Sequence, residues 1–69
     1  MNKFSQRLKE LRLENGMTQQ HIAGLLNIKQ QSYIRYEYGT GEPSINTLIK
    51  LTEIFGVSSD YLLGISDEY

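Results

Sequence analysis

Two adjacent amides, an aliphatic carbon and a guanidinium share one side of the segment Gln30–Tyr38, as Gln30, Gln31, Ile34 and Arg35. At 100° per residue these four and Tyr38 fall on one helical arc of about 140°, with Tyr33 and Tyr36 on the opposite side. A surface helix normally shows solvent the long charged helix formers. The groups here instead match the edges of duplex bases: glutamine pairs with adenine, arginine with guanine, and an aliphatic carbon meets the thymine methyl. A solvated face that happens to hold two glutamines is the competing reading, and this helix alone does not separate the two.

The neighbouring residues read as the frame for that face. Thr18 is placed to cap a helix through its hydroxyl, and Met17 and Ile22 have the spacing of a hydrophobic staple around it. Ile22, Ala23, Leu25 and Leu26 give this helix an apolar stripe, and Asn27 tolerates the left-handed conformation that ends it. Ile28 plugs the turn, and Gly39 stops the helix that begins at Gln30. Thr18–Gly39 is thus two short helices joined by a tight three-residue turn. Ahead of them, Asn2 caps a first helix running to about Asn15, with Phe4, Leu8 and Leu11 as its buried stripe. Asn15-Gly16 is the stop. Arg12 adjoins the stripe and is expected to be partly buried and to need a carboxylate partner, whereas Glu10 and Glu14 belong to the solvated face.

After Gly39, Thr40-Gly41-Glu42-Pro43 reads as a loop. Ser44 caps a fourth helix with Ile45, Leu48, Leu51 and Phe55 as its core stripe, Ile49 and Ile54 off it, and Gly56 as its stop. Val57, Ser58 and Leu62 repeat the staple-and-cap spacing for a fifth helix. Tyr61, Leu62 and Leu63 are apolar in succession. Either one or two of them stay exposed for a twofold partner to cover, or all three complete a small core. Residues 65–69 are an acidic tail, expected to fray or to begin a linker. The pattern holds no strand, internal repeat or low-complexity segment.

Sixty-nine residues allow one small domain, 1–64, with 65–69 as the tail. Without cysteine there is neither a disulfide nor a cysteine-bound zinc to staple it. His21, the lone histidine, lacks a second ligand and a nucleophile to activate, so it reads as an exposed helix residue. No metal, cofactor or small-molecule site is expected, and no enzyme. No run of apolar residues suits a membrane span or a secretory signal, which favours the cytoplasm. The net charge of −1 hides an asymmetry. Residues 1–38 carry Lys3, Arg7, Lys9, Arg12, Lys29 and Arg35 against Glu10, Glu14 and Glu37. Residues 39–69 carry Lys50 against Glu42, Glu53, Asp60, Asp67 and Glu68. The first half suits contact with a polyanion, but weakly enough that strong binding needs a second subunit.

From Phe4 to Gly64 the chain resembles the phage-repressor/Cro-like helix-turn-helix family, often called the Xre family. The resemblance rests on RLKELR at 7–12, MTQQHIAGLLNI at 17–28, QQSYIRYEYG at 30–39, EPSINTLIKL at 42–51 and FGVSSDYLLG at 55–64, in that order and spacing. It implies an all-α, compact five-helix lambda-repressor-like domain. It further implies base reading by Gln30, Gln31 and Arg35 and a phosphate contact by Gln19, which also braces the next helix. Arg12 and Glu37 match a structural ion pair, and Thr40 lies where the family's backbone-contacting loop begins. The chain departs from the pattern at four places. Lys29 stands at a usual Ser/Thr cap, where it gains a phosphate contact. Asn27 replaces the turn glycine, Tyr33 occupies a frequent Ile site, and Tyr38 occupies a small polar one, as a further phosphate-contacting candidate.

The leading expectation is sequence-specific double-stranded DNA binding by a transcriptional regulator, read as a repressor, whose dimer reads operator half-sites through helix 30–38. The alternative is a protein-interaction module, such as an antitoxin or anti-repressor, binding through Ile49, Ile54, Tyr61 and Leu63. The chain is either a complete small regulator or the front of a longer one.

Overall fold

In the computed structural model, which describes residues 2–69, five helices follow one another without a strand among the described residues. They are α1 (Lys3–Glu14), α2 (Gln19–Leu26), α3 (Gln30–Tyr38), α4 (Ile45–Phe55) and α5 (Ser59–Leu63). Local chemistry sets their ends. The side chains of Asn2, Thr18, Ser44 and Ser58 each accept the backbone N–H three residues on, giving a partner to a donor that the first turn leaves free. Only α3 starts without such a bond, at Lys29. Asn27 takes φ 57° and ψ 45°, so its short side chain supports the left-handed stop before the turn.

Helix α3 lies against α1 and α2, α5 against α1 and α4, and α4 reaches α2. Their shared core is Leu8, Leu11, Ile22, Ala23, Leu26, Tyr33, Leu51, Val57 and Leu62. Phe4, Met17, Ile28, Leu48 and Phe55 are half-buried around it. One polar tie aligns α3 on α1. The buried Ser5 Oγ donates to the Tyr36 carbonyl at 2.7 Å. The Thr40 N–H, whose partner in a continuing helix would be the Tyr36 carbonyl, turns instead to that of Arg35, leaving the Tyr36 carbonyl to Ser5.

The structure corrects several expectations. Leu25 is exposed, because Ile22, Ala23 and Leu26 already fill the narrow buried face of an eight-residue helix. Ile45 is 78% exposed, since the first turn of α4 projects beyond the core. Ile54 instead packs on the core, because it follows Leu51 by three residues and precedes Phe55 on the same face. Leu62 is fully buried and is removed from the dimer-surface candidates. Helix α5 spans only five residues and turns one side chain squarely inward; Leu63 stays exposed and Tyr61 half-buried.

The last residues were expected to fray, and they fold back. The Arg7 guanidinium donates to the carbonyls of Tyr61 and Ser66 and reaches the Asp67 carboxylate at 2.6 Å. The Ser58 N–H donates to the Tyr69 carbonyl at 2.8 Å, and the Tyr61 and Tyr69 rings lie 4.6 Å apart. Gly64 makes the reversal possible: φ is +83°, and the Lys3 stem occupies the place a side chain would need.

Candidate nucleic-acid interface

Helix α3 is nine residues long, about 13 Å at the helical rise, and its two sides differ sharply. Tyr33 and Glu37 are buried against α1 and α2. Gln30, Gln31 and Arg35 are exposed together, Ile34 is half-buried beside them, and Tyr38 is 69% exposed at the end of the helix. The four side chains proposed to read bases therefore share one outward face. Lys29, at the uncapped start of α3, and Thr40, just past its end, are exposed at opposite ends of the helix.

The opposite side of α3 is locked by a buried polar cluster. Arg12 Nε reaches Glu37 Oε2 at 2.6 Å and Arg12 Nη2 reaches Oε1 at 3.2 Å, while Arg12 Nη1 donates to the Met17 carbonyl at 3.0 Å. The Tyr33 hydroxyl donates to Glu37 Oε2, and Gln19 Nε2 donates to Oε1 at 3.3 Å. Glu37 is 2% exposed, and its carboxylate takes donors from α1, α2 and α3 at once. Burial alone would raise its pKa, but hydrogen bonds from Arg12, Tyr33 and Gln19 outweigh that and hold it below the usual value. The hydrogen bond to Glu37 raises the Arg12 pKa against the opposing effect of burial. Burial, then the bond to Glu37, raises that of Tyr33. The cluster is ionic at neutral pH, and it sets the angle at which α3 is presented.

The expected Arg12–Glu37 ion pair is therefore present, and the expected brace from Gln19 to the next helix is a bond to Glu37. Gln19 opens α2 beside a groove lined by Lys9, Arg12, Met17, Thr18, Gln19, Glu37 and Tyr38. Thr18 takes the N–H groups of His21 and Ile22, which leaves those of Gln19 and Gln20 to solvent among the described residues. This groove brings Gln19 and Tyr38 together; Lys29 and Thr40 stand apart from it.

Sequence reasoning missed Lys9, Ser5 and the Tyr33 hydroxyl. Lys9 was legible: it precedes Arg12 by three residues and so shares the helix face turned toward α3. Ser5 left no signal, because nothing local marks a carbonyl that lies thirty-one residues away. The count of basic residues also misled. Arg7 and Arg12 are nine-tenths buried in ion pairs, so Lys9, Lys29 and Arg35 are the cations that this side of the molecule offers.

A tight turn between two short helices, with the second locked on its inner side and polar on its outer side, is a helix-turn-helix. Residues 8–62 match the family model described as Helix-turn-helix (HTH_3), and the chain belongs to that family. It is 48% identical over 60 residues to the SPbeta prophage-derived uncharacterized HTH-type transcriptional regulator YonR of Bacillus subtilis, a match covering 87% of this chain and 56% of that one. It is 44% identical over 61 residues to the HTH-type transcriptional regulator ImmR of the same organism, covering 88% and 48%. The cryptic phage CTXphi transcriptional repressor RstR of Vibrio cholerae is 31% identical over 64 residues, covering 93% and 58%. A crystal structure of a transcriptional regulator from Listeria innocua superposes with a TM-score of 0.88 at 33% identity, covering all of this chain and 65% of that one. These relatives bear out the resemblance to phage-type regulators and the all-α five-helix fold. The chain spans about half the length of the curated relatives it matches.

Proposed function

We propose that this chain is the double-stranded DNA-binding domain of a transcriptional regulator, acting as a repressor in the cytoplasm. The observation that carries the reading is the outward face of Gln30, Gln31, Ile34 and Arg35 on a helix locked from behind by Arg12, Glu37, Tyr33 and Gln19. Helix α3 enters the major groove, with the two amides and Arg35 at base edges and Ile34 at a thymine methyl. Gln19, Lys29, Tyr38 and Thr40 contact phosphates, joined by Lys9 from the groove at the start of α2. The role is binding, not catalysis, and no helix among the described residues is long and apolar enough to cross a membrane. Two copies read half-sites about one helical turn apart, because the three free cations on the α3 side of one copy give little phosphate affinity.

A second reading has its own observation. Ile45, Ile49, Leu63 and Ile65 are exposed, which suits a protein partner as well as a second copy. Selection from a random duplex pool at about 150 mM salt separates the readings, because non-specific binding is weak there. The parent is expected to enrich a near-palindromic motif that Gln30→Ala/Gln31→Ala loses. No enrichment by the parent, at this or lower salt, would overturn DNA reading in favour of the interaction module.

A further inference from the structure

Two ties run from one face of α1 to the last turn of α3, and they hold it in different directions. Ser5 and Arg12 are both buried and stand about 10 Å apart along α1, two helical turns. Arg12 from α1 and Gln19 from α2 hold the Glu37 carboxylate, so they act on the side of α3 and fix its roll. Ser5 acts on its end. Helix carbonyls point along the axis toward the C-terminus, and that of Tyr36 is among the last four, which a helix leaves without an internal donor. The chain that follows supplies none, because the N–H groups of Gly39, Thr40 and Gly41 all turn to the Arg35 carbonyl. The donor that the Tyr36 carbonyl receives is the Ser5 hydroxyl, at 2.7 Å. Ser5 has no exposed surface, so it cannot touch DNA itself.

We infer that Ser5 is a positioning residue for base recognition: its bond to the Tyr36 carbonyl sets where α3 stands along its own axis. The inference rests on the reading of Gln30, Gln31 and Arg35 as base contacts. A slide of α3 carries all three by the same step, while their spacing on the helix stays as it is. Bidentate contacts to base edges tolerate little displacement. Ser5→Ala removes one oxygen without adding bulk and takes that donor from the Tyr36 carbonyl. Its effect therefore differs from the loss of a single reader, because several base positions blur together. Attraction to phosphates is untouched, since Lys9, Lys29 and Arg35 all remain.

The experiment is duplex selection followed by affinity measurement on single-base variants of the selected site and on an unrelated duplex. It compares the parent with Arg35→Ala, Gln30→Ala/Gln31→Ala and Ser5→Ala. Arg35→Ala is expected to lower discrimination at one base position roughly 5- to 100-fold, the range of a lost bidentate contact. Ser5→Ala is expected to lower it about two- to tenfold at two or more positions together, a part of what each whole contact supplies. Its affinity for the unrelated duplex, and the salt slope of that binding, stay at parental values. A merely structural role gives another result, because unfolded chain lowers binding to every duplex by one factor. If all affinities of Ser5→Ala fall alike, if none changes, or if one base position alone is lost, the positioning role is overturned and the DNA reading stands. If the parent selects no motif, or Arg35→Ala and Gln30→Ala/Gln31→Ala both keep it, the reading of α3 fails and takes this inference with it. NMR of the parent gives an arm independent of the variants' folding. A slowly exchanging Ser5 hydroxyl proton, coupled through the hydrogen bond to the Tyr36 carbonyl carbon, is expected both in the free protein and on its selected site. Absence of that coupling on DNA overturns the inference.

Discussion

Helix α1 carries two arginines five residues apart, both nine-tenths buried, and the fold treats them in opposite ways. Arg12 pairs with a carboxylate whose side chain is 2% exposed, and Arg7 pairs with one that is 93% exposed. Around Arg12 the counter-charge is enclosed, and Tyr33 and Gln19 supply the remaining donors to it. Around Arg7 the enclosing atoms are two backbone carbonyls and the Tyr61 ring, whose centroid lies 4.1 Å from the guanidinium carbon. One site depends on a buried charge pair, the other on hydrogen bonding and stacking with an optional charge at the rim. The first orients the helix proposed to read DNA. The second seals the far end of the domain. Burial of the arginine alone thus says little about how much its carboxylate matters.

The contrast is most open to breaking at Glu37. Glu37→Gln leaves the Arg12 charge enclosed without a counter-charge and is expected to destabilise the fold by about 3 kcal/mol, the lower end for breaking a buried pair. Chemical denaturation of parent and variant measures this directly. The same residue gives a pH signature. Because the folded-state pKa of Glu37 is lowered, its contribution is complete above the ordinary carboxylate value of about 4.3 and is lost as pH falls below it. The parent should therefore lose stability through that acid range, and the variant should show a flatter profile. A loss under about 1 kcal/mol, the scale of an exposed pair, would erase the distinction between the two arginines.

How much of this was legible in the sequence follows the distance over which each feature is determined. Caps at Asn2, Thr18, Ser44 and Ser58 and stops at Asn27, Gly39 and Gly56 are local, and all of them stand where the residue types put them. The outward set Gln30, Gln31 and Arg35 is equally local, because one helix periodicity defines it. Arg12 with Glu37 became legible only through the family resemblance. Periodicity could show that Arg12 borders the core, but not which carboxylate meets it twenty-five residues on. The Arg7 clamp was hidden further. Its acceptors are mostly main-chain carbonyls, which every residue carries, and an acidic C-terminal run looks the same whether it frays or folds back. The misassigned stripe on α4 has another cause: Ile45, Ile49 and Ile54 are alike in type, and only the placement of α4 on its neighbours decides which of them meets the core.

Tyr33 sharpens the contrast from the Arg12 side. As a ring at a frequent isoleucine site it looked like a wider core; its hydroxyl is also a donor to Glu37. Tyr33→Phe keeps the ring and removes that donor. The expected loss is about 1.5–3 kcal/mol, the usual effect of losing a hydrogen bond to a charged group. In the variant the Glu37 pKa should move up toward its ordinary value, since one of the bonds that lower it is gone. A carboxyl NMR titration reads this shift. If stability falls while the Glu37 titration does not move, the hydroxyl acts through packing and the buried cluster reduces to Arg12, Glu37 and Gln19.

The smallest expected effect is the other half of the comparison. Asp67→Ala removes the only charge partner of Arg7 among the described residues, yet should change the unfolding free energy by at most about 1 kcal/mol, as exposed pairs do. The reason is that Arg7 keeps the Tyr61 and Ser66 carbonyls and the Tyr61 ring, so its charge is never left without partners. What remains of the effect should shrink further in high salt, because solvent already screens the Asp67 carboxylate. Backbone amide exchange at Ser58, whose N–H donates to Tyr69, gives a local view of the same question. Unchanged protection there means that carbonyls and stacking hold the C-terminal residues. A loss as large as that of Glu37→Gln would mean that Arg7 leans on its carboxylate after all. The two arginines would then differ in the exposure of their partners but not in their dependence on them.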